Sequence, residues 1–272
     1  MAQRRAAAQQ LGVLQNKTAA PALMDALSDS DAYVRVLVVR ALGYLRWTDA
    51  TANLTHVLKV DSDAEVRENA VLSLQLLGGP GAVSAIAAAT HDSSEAVRET
   101  ALDTLVMFRS SATLVALTAA LQDKSALVRR TAVVSLGRYG DPAGGPALIA
   151  MLKDADAPTR ANAAQMLGQL YVVKAKPALQ DALKDPDTMV QISAARSLAI
   201  FHDRAGFETA MKMAKDTDRN IQLMAIEALG FMQDPVVIPF LESLMQGPDV
   251  YVHDAAAAAI QQIKASKPKV KK

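Results

Sequence analysis

The segment Asp31-Ala-Tyr-Val-Arg35 recurs along the whole chain at a nearly constant spacing. Close copies begin at Asp63, Ser94 and Ser125, and more divergent copies begin at Asp156, Asp187, Asp218 and Asp249. Successive copies carry at their Arg position Arg4, Arg35, Arg67, Arg98, Arg129, Arg160, Gln191, Gln222 and His253. A strict period of roughly 31 residues is typical of a solenoid, in which each repeat packs only on its neighbours.

One repeat predicts two helices, which we name A and B. We number positions within a repeat from the Arg position, so that Gly43 is at +8 of the repeat of Arg35. Asp31 is a good N-cap, and apolar residues then recur at helical spacing to form the buried stripe of helix A. Glycine is frequent at +8, which predicts close approach of a neighbouring helix.

Helix B carries a Pro-x-Leu-x-x-x-Leu pattern, as in Pro146 to Leu152. A second cap position precedes it at +12, which is occupied by Asn16, Ser110, Asp141, Asp203 and Asp234. Proline directly follows two of these caps, which is the usual pairing at a helix start.

This pair of helices resembles the short HEAT-like repeats of bacteria and archaea, including those of the phycobilisome lyases. The resemblance implies an all-α, right-handed α-solenoid of about eight helix pairs and a final single helix, with B helices on the concave side. We place the solenoid at residues 1–264 and a basic tail at 265–272. The predicted repeats are 1–31, 32–63, 64–94, 95–125, 126–156, 157–187, 188–218 and 219–249, followed by a terminal helix at 250–264.

Composition restricts the chemistry. The 272 residues contain no cysteine, which excludes disulfides and thiolate catalysis. The net charge of +1 argues against non-specific electrostatic binding of nucleic acid. No apolar stretch approaches the length of a transmembrane helix. The absence of cysteine fits a cytoplasmic and an exported protein equally, but the N-terminus has no hydrophobic segment of signal-peptide type, so the cytoplasm is favoured. Because the first repeat lacks its acidic position, an upstream segment could have been removed, which leaves a periplasmic or exported location open.

Repeated charges are interpreted as structural. Asp and Arg four residues apart lie on one helix face, and such positions form an inter-repeat hydrogen-bond ladder in HEAT-like proteins. The predicted ladder consists of Asp31, Arg35, Asp63, Arg67, Arg98, Arg129, Asp156 and Arg160. Gln191, Gln222 and His253 replace Arg in the last repeats, where the ladder should weaken.

The four histidines do not indicate a metal centre. His56, His91, His202 and His253 fall at four different places in the repeat, so stacking does not gather them on one face. The deoxyhypusine hydroxylases, which are HEAT-like metalloenzymes, use repeated His-Glu pairs that this chain lacks. We therefore expect no metal, no cofactor and no catalytic residues.

A partner-binding surface is predicted on the B helices, at positions +18 and +21 of each repeat. In the middle repeats these positions form a strip of alanine that would let a partner backbone approach closely. An equal alternative is that alanine merely fits a tightly curved surface. The predicted surface consists of Asn53, His56, Ala85, Ala88, Ala116, Ala119, Ala147, Ala150, Asp181, Lys212 and Phe240.

The sequence thus predicts a non-catalytic scaffold or adaptor that binds a protein or peptide along its concave face. The alternative is an accessory enzyme or chaperone that resembles the phycobilin lyases and acts on a chromophore or a protein substrate. Specific nucleic-acid binding is not expected. The sequence leaves the oligomeric state open.

Overall fold

The computed structural model describes residues 2–14 and 17–266, and within these ranges it contains α-helices and short 3₁₀ turns but no strand. The all-α prediction is confirmed. By its internal contacts the chain divides into two compact units, residues 1–139 and 140–272. Asn16 and the tail residues 267–272 lie outside the described residues.

In the first unit, A and B helices alternate. The A helices are α1 (Ala2–Leu14), α3 (Ala32–Tyr44), α5 (Ala64–Leu77), α7 (Glu95–Leu105) and α9 (Ala126–Tyr139). The B helices are α2 (Ala20–Asp25), α4 (Thr51–Val60), α6 (Gly79–Ala89) and α8 (Ser111–Ala120). Each A helix packs against the A helix of the next repeat, and the B helices α4, α6 and α8 pack side by side in a second layer.

The second unit continues the alternation. Its B helices are α10 (Gly145–Met151), α12 (Lys176–Ala182), α14 (Phe207–Met213) and α16 (Ile238–Leu244). Its A helices are α11 (Ala157–Gln169), α13 (Thr188–Ile200), α15 (Arg219–Met232) and α17 (Val250–Ala265). No helix in the described part of the chain is long and apolar enough to cross a lipid bilayer.

The helix starts follow the predicted caps. The Asp63 carboxylate accepts hydrogen bonds from Glu65 N and Val66 N at the start of α5. At the second cap position, Ser110 accepts from Thr113 N at the start of α8. Such caps satisfy N–H groups that have no partner within the helix. The aspartates at the second position instead cap the 3₁₀ turns that lead into α10, α14 and α16, namely Asp141, Asp203 and Asp234.

The predicted close approach at glycine is confirmed between neighbouring A helices. A Cβ on Gly43 would lie 2.9 Å from Ser73 Cα in the next repeat, a distance that no packed structure tolerates. Gly168 meets Ser197 in the same way, with 3.0 Å to its Cα. The facing serines use the space to bridge the helices, because Ser73 Oγ donates to Val39 O and Ser197 Oγ donates to Ala164 O.

The arginines form a ladder between repeats, but with different aspartates from those predicted. Arg35 holds the Asp61 carboxylate through Nε and Nη2 at 2.7 and 2.8 Å. Asp61 lies two residues before the N-cap of the following A helix. Two parallel charge-assisted bonds fix orientation as well as distance. We call this bidentate contact between a guanidinium and a carboxylate the fork. It also joins the pairs Arg67–Asp92, Arg98–Asp123 and Arg160–Asp185.

The predicted ladder residues Asp31, Asp63 and Asp156 are N-caps. Their carboxylates accept from the first-turn N–H groups of α3, α5 and α11, so the guanidinium of the same helix extends past them to the next repeat. Asp31 has a second role, because it also pairs with Arg5 of the first repeat at 2.6 Å.

Each of these arginines also donates a hydrogen bond to a backbone carbonyl of the loop before its own helix. Arg35 Nη1 donates to Asp29 O and Arg129 Nη1 to Asp123 O, at 2.8 and 2.9 Å. The aspartate side chain in turn accepts from the backbone N–H two residues later. This Asx turn recurs at Asp29, Asp61, Asp92, Asp123, Asp154, Asp185 and Asp216.

The ladder changes after Arg160. Gln191 keeps the backbone contact, because its Nε2 donates to Asp185 O at 2.6 Å. Its neutral amide has no guanidinium fork and is too short to replace one. The aspartate of the next loop, Asp216, still makes its Asx turn. An open cleft of about 410 Å³ lies here, lined by Thr188, Gln191, Lys212, Met213, Lys215, Asp216 and Thr217.

The ladder predicts a specific loss of stability in acid. Burial alone would raise the pKa of the Asp92 carboxyl, but the bonds from Arg67 and Ser94 N outweigh it and hold the pKa below its ordinary value. A carboxyl with a lowered folded-state pKa stabilises the protein above its unfolded pKa of about 3.9, and this contribution disappears as pH falls through the folded value. Asp92→Asn should therefore be less stable than wild type at pH 7, with the gap closing towards pH 2 in urea unfolding. Asp25→Asn, outside the ladder, is the control. A gap for Asp92→Asn that is the same at every pH would refute this role.

A restored fork should stabilise the second unit. In Gln191→Arg the guanidinium can reach Asp216 as Arg160 reaches Asp185. A charge-assisted hydrogen bond contributes about 1.5 kcal/mol or more, which corresponds to a Tm rise of roughly 3 °C in a protein of this size. Gln191→Lys, which adds the charge without the fork, should gain less. Equal gains for the two variants, or no gain for Arg, would contradict the geometric explanation.

Candidate functional site

The predicted surface residues lie on the B helices, but only part of them reach solvent. At position +18, Asn53 is exposed, and Ala147 and Phe240 are half-buried. Ala85 and Ala116, at the same position, are buried. At position +21, all the predicted residues are exposed: His56, Ala88, Ala119, Ala150, Asp181 and Lys212.

The prediction is therefore corrected at Ala85 and Ala116. α4 packs on α6 and α6 on α8, and these contacts cover Ala85 and Ala116, whereas Asn53 at the same position stays exposed. Ala85 accordingly lines a cleft together with Thr55 and Leu58 of α4. The strip of exposed alanine consists of a single residue per repeat.

Two further rows of exposed residues complete this surface, and sequence reasoning missed both. On α6 and just beyond its end they are Ser84 and His91, and the next repeat places Val115 and Gln122 at the same positions, +17 and +24. Together with the +21 row they occupy one helix face, because their spacings are four and three. We call this surface the B face of each unit. The helical spacing was visible in the sequence and could have found these rows.

Two open clefts cut into the B face of the first unit, on either side of α4. Both combine an apolar floor with a polar rim that contains one exposed histidine. Such clefts can accept apolar side chains while the rim hydrogen-bonds a backbone. The first has about 380 Å³ and is lined by Met24, Leu27, Ser28, Ala52, Asn53, His56 and Val57. The second has about 340 Å³ and is lined by Thr55, Leu58, Lys59, Ala85, Ala88, Ala89, His91 and Asp92.

The B face of the second unit is more charged. Exposed Lys153, Lys184 and Lys215 follow one another at position +24, and Lys212 lies one turn before Lys215. Lys215 Nζ lies 5.4 Å from the centroid of the Phe240 ring, a cation–π contact that orders both side chains. Exposed carboxylates lie among these lysines on the same face, namely Asp181 at +21 and Glu208 at +17, so this face presents charges of both signs.

Within residues 2–14 and 17–266, no group of three or more His, Cys, Asp or Glu side chains is arranged to hold a metal ion. The one histidine in an ion pair there is His253, whose Nδ1 lies 3.1 Å from Oδ1 of the adjacent Asp254, and Asp254 is exposed. The polar side chains that line the first cleft are those of Ser28, Asn53 and His56. Those that line the second are Thr55, Lys59, His91 and Asp92.

Comparison with known proteins agrees with this fold. The chain is similar to YibA of Escherichia coli, with 22% identity over 96% of each chain and a TM-score of 0.67. It is also similar to a structure of Kap95p with RanGDP, at 15% identity, 90% coverage of this chain, 40% of that chain and a TM-score of 0.56. The CpcE–CpcF phycocyanin lyase complex of Nostoc sp. PCC7120 matches at 19% identity over 89% and 93% of the two chains, with a TM-score of 0.46. The first two likenesses show a shared fold.

The sequence matches none of the curated proteins compared. It matches the HEAT repeats family over residues 2–75, 51–137, 82–168, 145–208 and 177–261, which together span nearly the whole chain. The repeated helix pairs, the glycine contacts between A helices and the arginine ladder fit this result. The chain belongs to the HEAT-repeat family.

Proposed function

We propose that the protein is a non-catalytic scaffold or adaptor that binds a protein or peptide along the B face of its first unit. The observation that supports this proposal is the pair of adjacent clefts on either side of α4, each with an apolar floor and a polar rim. An enzyme would instead need several polar groups converging on one reacting atom. Here Asn53 and His56 lie at one cleft, and Lys59 and His91 at the other.

The spacing of the clefts suits a linear ligand. Neighbouring packed helices lie roughly 8–10 Å apart, so clefts in successive repeats have a similar separation. A peptide in the polyproline II conformation has three residues per turn and advances about 3.1 Å per residue, so every third side chain lies on one face and could enter a cleft. The small exposed side chain of Ala88 lines the second cleft, and Ala119 continues the same row on the next B helix, so both leave room for the peptide backbone beyond the clefts.

The ladder keeps this surface preorganised. Arg35, Arg67 and Arg98 each join their own loop to the loop of the next repeat, and these loops directly follow the B helices that carry the clefts. A surface that is already ordered loses less conformational entropy when it binds. Binding by a repeat scaffold then depends on the register of its repeats as well as on the contacting side chains.

The test is affinity capture from the native organism with quantitative mass spectrometry, comparing wild type with Ala88→Glu/Ala119→Glu. Both substitutions place a charge and extra bulk on the exposed alanine row, so the main partner should be depleted at least about tenfold. The matched control is Ala7→Glu/Ala258→Glu, which makes the same change at exposed positions of A helices. All variants should have the melting temperature of the wild type.

A partner recovered equally by wild type and by Ala88→Glu/Ala119→Glu would exclude the B face as its binding site. Equal loss with Ala7→Glu/Ala258→Glu would show that added negative charge anywhere is responsible. A direct titration of the purified partner by calorimetry then measures the change in Kd.

A further inference from the structure

A second surface of the first unit exposes apolar side chains in successive repeats. At position +9, near the end of each A helix, lie Val13, Tyr44, Leu76 and Met107. Val13 is 76% exposed, Met107 64% and Tyr44 52%, and Leu76 is also exposed. Leu72, one turn earlier on α5, is exposed as well. We call these five residues the apolar row.

The apolar row is continuous because its helices are neighbours. α1 packs on α3, α3 on α5, and α5 on α7, so equivalent positions come side by side. Single exposed apolar residues are common, but a contiguous set bordered by polar residues marks an interaction surface. On the next A helix, α9, the equivalent residue is the exposed Arg138. In the second unit, the exposed Gln169 takes this position on α11.

An acidic band borders the apolar row. The arginines of helices α5 and α7, Arg67 and Arg98, are buried in the ladder and do not offset this charge. The two helices carry five carboxylates on the same face, at helical spacings of three and four from Leu76 and Met107: Glu65, Glu68, Glu95, Glu99 and Asp103.

The band is crowded as well as acidic. Burial, followed by repulsion from Glu95, Asp103 and Glu68, raises the pKa of the Glu99 carboxyl.

The neighbouring helices supply cations as well. Arg138 of α9 pairs with Asp103 at 3.1 Å at the exposed edge. Arg130 of α9 and Arg40 of α3 lie at the repeat positions of Glu99 and Asp103. Five carboxylates against three guanidinium groups leave a net negative charge, which a cationic ligand beside α5 and α7 would offset.

We propose that the apolar row and the acidic band together dock an amphipathic α-helix of a partner protein whose apolar stripe is flanked by Lys or Arg. Three intervals between A helices span roughly 27 Å, the length of a helix of about 18 residues. Anchors one heptad apart lie about 10.5 Å apart along such a helix, close to the spacing of the row. This surface belongs to the A helices, so the inference does not depend on the B face.

The probe is a fluorescein-labelled synthetic peptide of about 18 residues, or five helical turns, with leucine anchors at heptad spacing and lysine flanks. Binding to the full chain is measured by fluorescence anisotropy at low and at high salt. Two comparison peptides are used, one with glutamate flanks and one with the lysine peptide's residues scrambled. The lysine peptide should bind, more weakly at high salt because screening reduces the attraction, and the other two should bind at least about tenfold more weakly.

Two double variants separate the two halves of the surface. Leu76→Asp/Met107→Asp should weaken binding of the lysine peptide at least about tenfold, because it places charge on the apolar row. Glu65→Gln/Glu95→Gln should weaken it less and reduce its salt dependence.

The matched control is Ala88→Glu/Ala119→Glu on the B face, which should leave the Kd unchanged. The residues replaced in all three variants are exposed, so the melting temperature of each should stay near that of wild type. A variant whose melting temperature falls is replaced by the milder Leu76→Ser/Met107→Ser, for which the same weakening is expected.

Several outcomes would overturn the inference. Unchanged binding to Leu76→Asp/Met107→Asp would show that the apolar row is not the site. Equal binding of the scrambled peptide would reduce the interaction to non-specific charge attraction. Self-association of the protein in analytical ultracentrifugation that Leu76→Asp/Met107→Asp abolishes would assign the row to a second copy of this chain. Failure of the Ala88→Glu/Ala119→Glu capture experiment would leave this inference untouched.

Discussion

The bidentate contact between an arginine of one repeat and an aspartate of the next is the constraint on which the rest of the structure depends. Arg67 shows its reach, because one guanidinium joins the Asp92 carboxylate to the Asp61 carbonyl. Asp92 in turn fixes the turn before α7 by accepting from Ser94 N. A single side chain thus couples the loop before its own helix, the loop of the next repeat and the start of the next A helix. Because the fork is planar, it sets rotation as well as distance.

Both candidate surfaces follow from this register. When successive A helices start at equivalent positions, residues at one phase of the repeat line up on neighbouring helices. The same register places His56 and Ala88 on the B face and Leu76 and Met107 in the apolar row. The two surfaces differ in chemistry. The B face has small side chains around two clefts, whereas the apolar row has large apolar side chains beside carboxylates. After Arg160 glutamine occupies the Arg position in the next two repeats, and the B face of the second unit presents lysines.

Much of this fold could be predicted from the sequence, because the period, the caps and the glycines are local signals. Asp63 and Ser110 cap helices as their types suggest, and Gly43 lies where a neighbouring serine leaves no room for a Cβ. The ladder partners were predicted wrongly. An aspartate six residues before each Arg position recurs from Asp29 to Asp216, so the signal was present. Helical spacing within one repeat favoured the nearer N-cap aspartates, although an arginine side chain can reach the next repeat.

Burial where neighbouring helices meet could not be predicted in the same way. Ala85 and Ala88 are the same residue type on one helix, yet only Ala88 is exposed. The difference depends on how closely α4 approaches α6, which no local pattern encodes. The apolar row was missed for a related reason. A leucine or methionine near the end of an amphipathic helix normally indicates core, and only the packed structure shows that Leu76 and Met107 face outward.

A double-mutant cycle on Arg98 and Asp123 tests the central claim most directly. The free energies of unfolding of wild type, Arg98→Ala, Asp123→Ala and the double variant are measured in urea at pH 7 and pH 2. If the fork holds the repeats in register, the coupling energy at pH 7 should exceed about 1.5 kcal/mol, and it should fall at pH 2, where the carboxylate takes up a proton. Additivity of the two single substitutions within about 0.5 kcal/mol at pH 7 would contradict the claim.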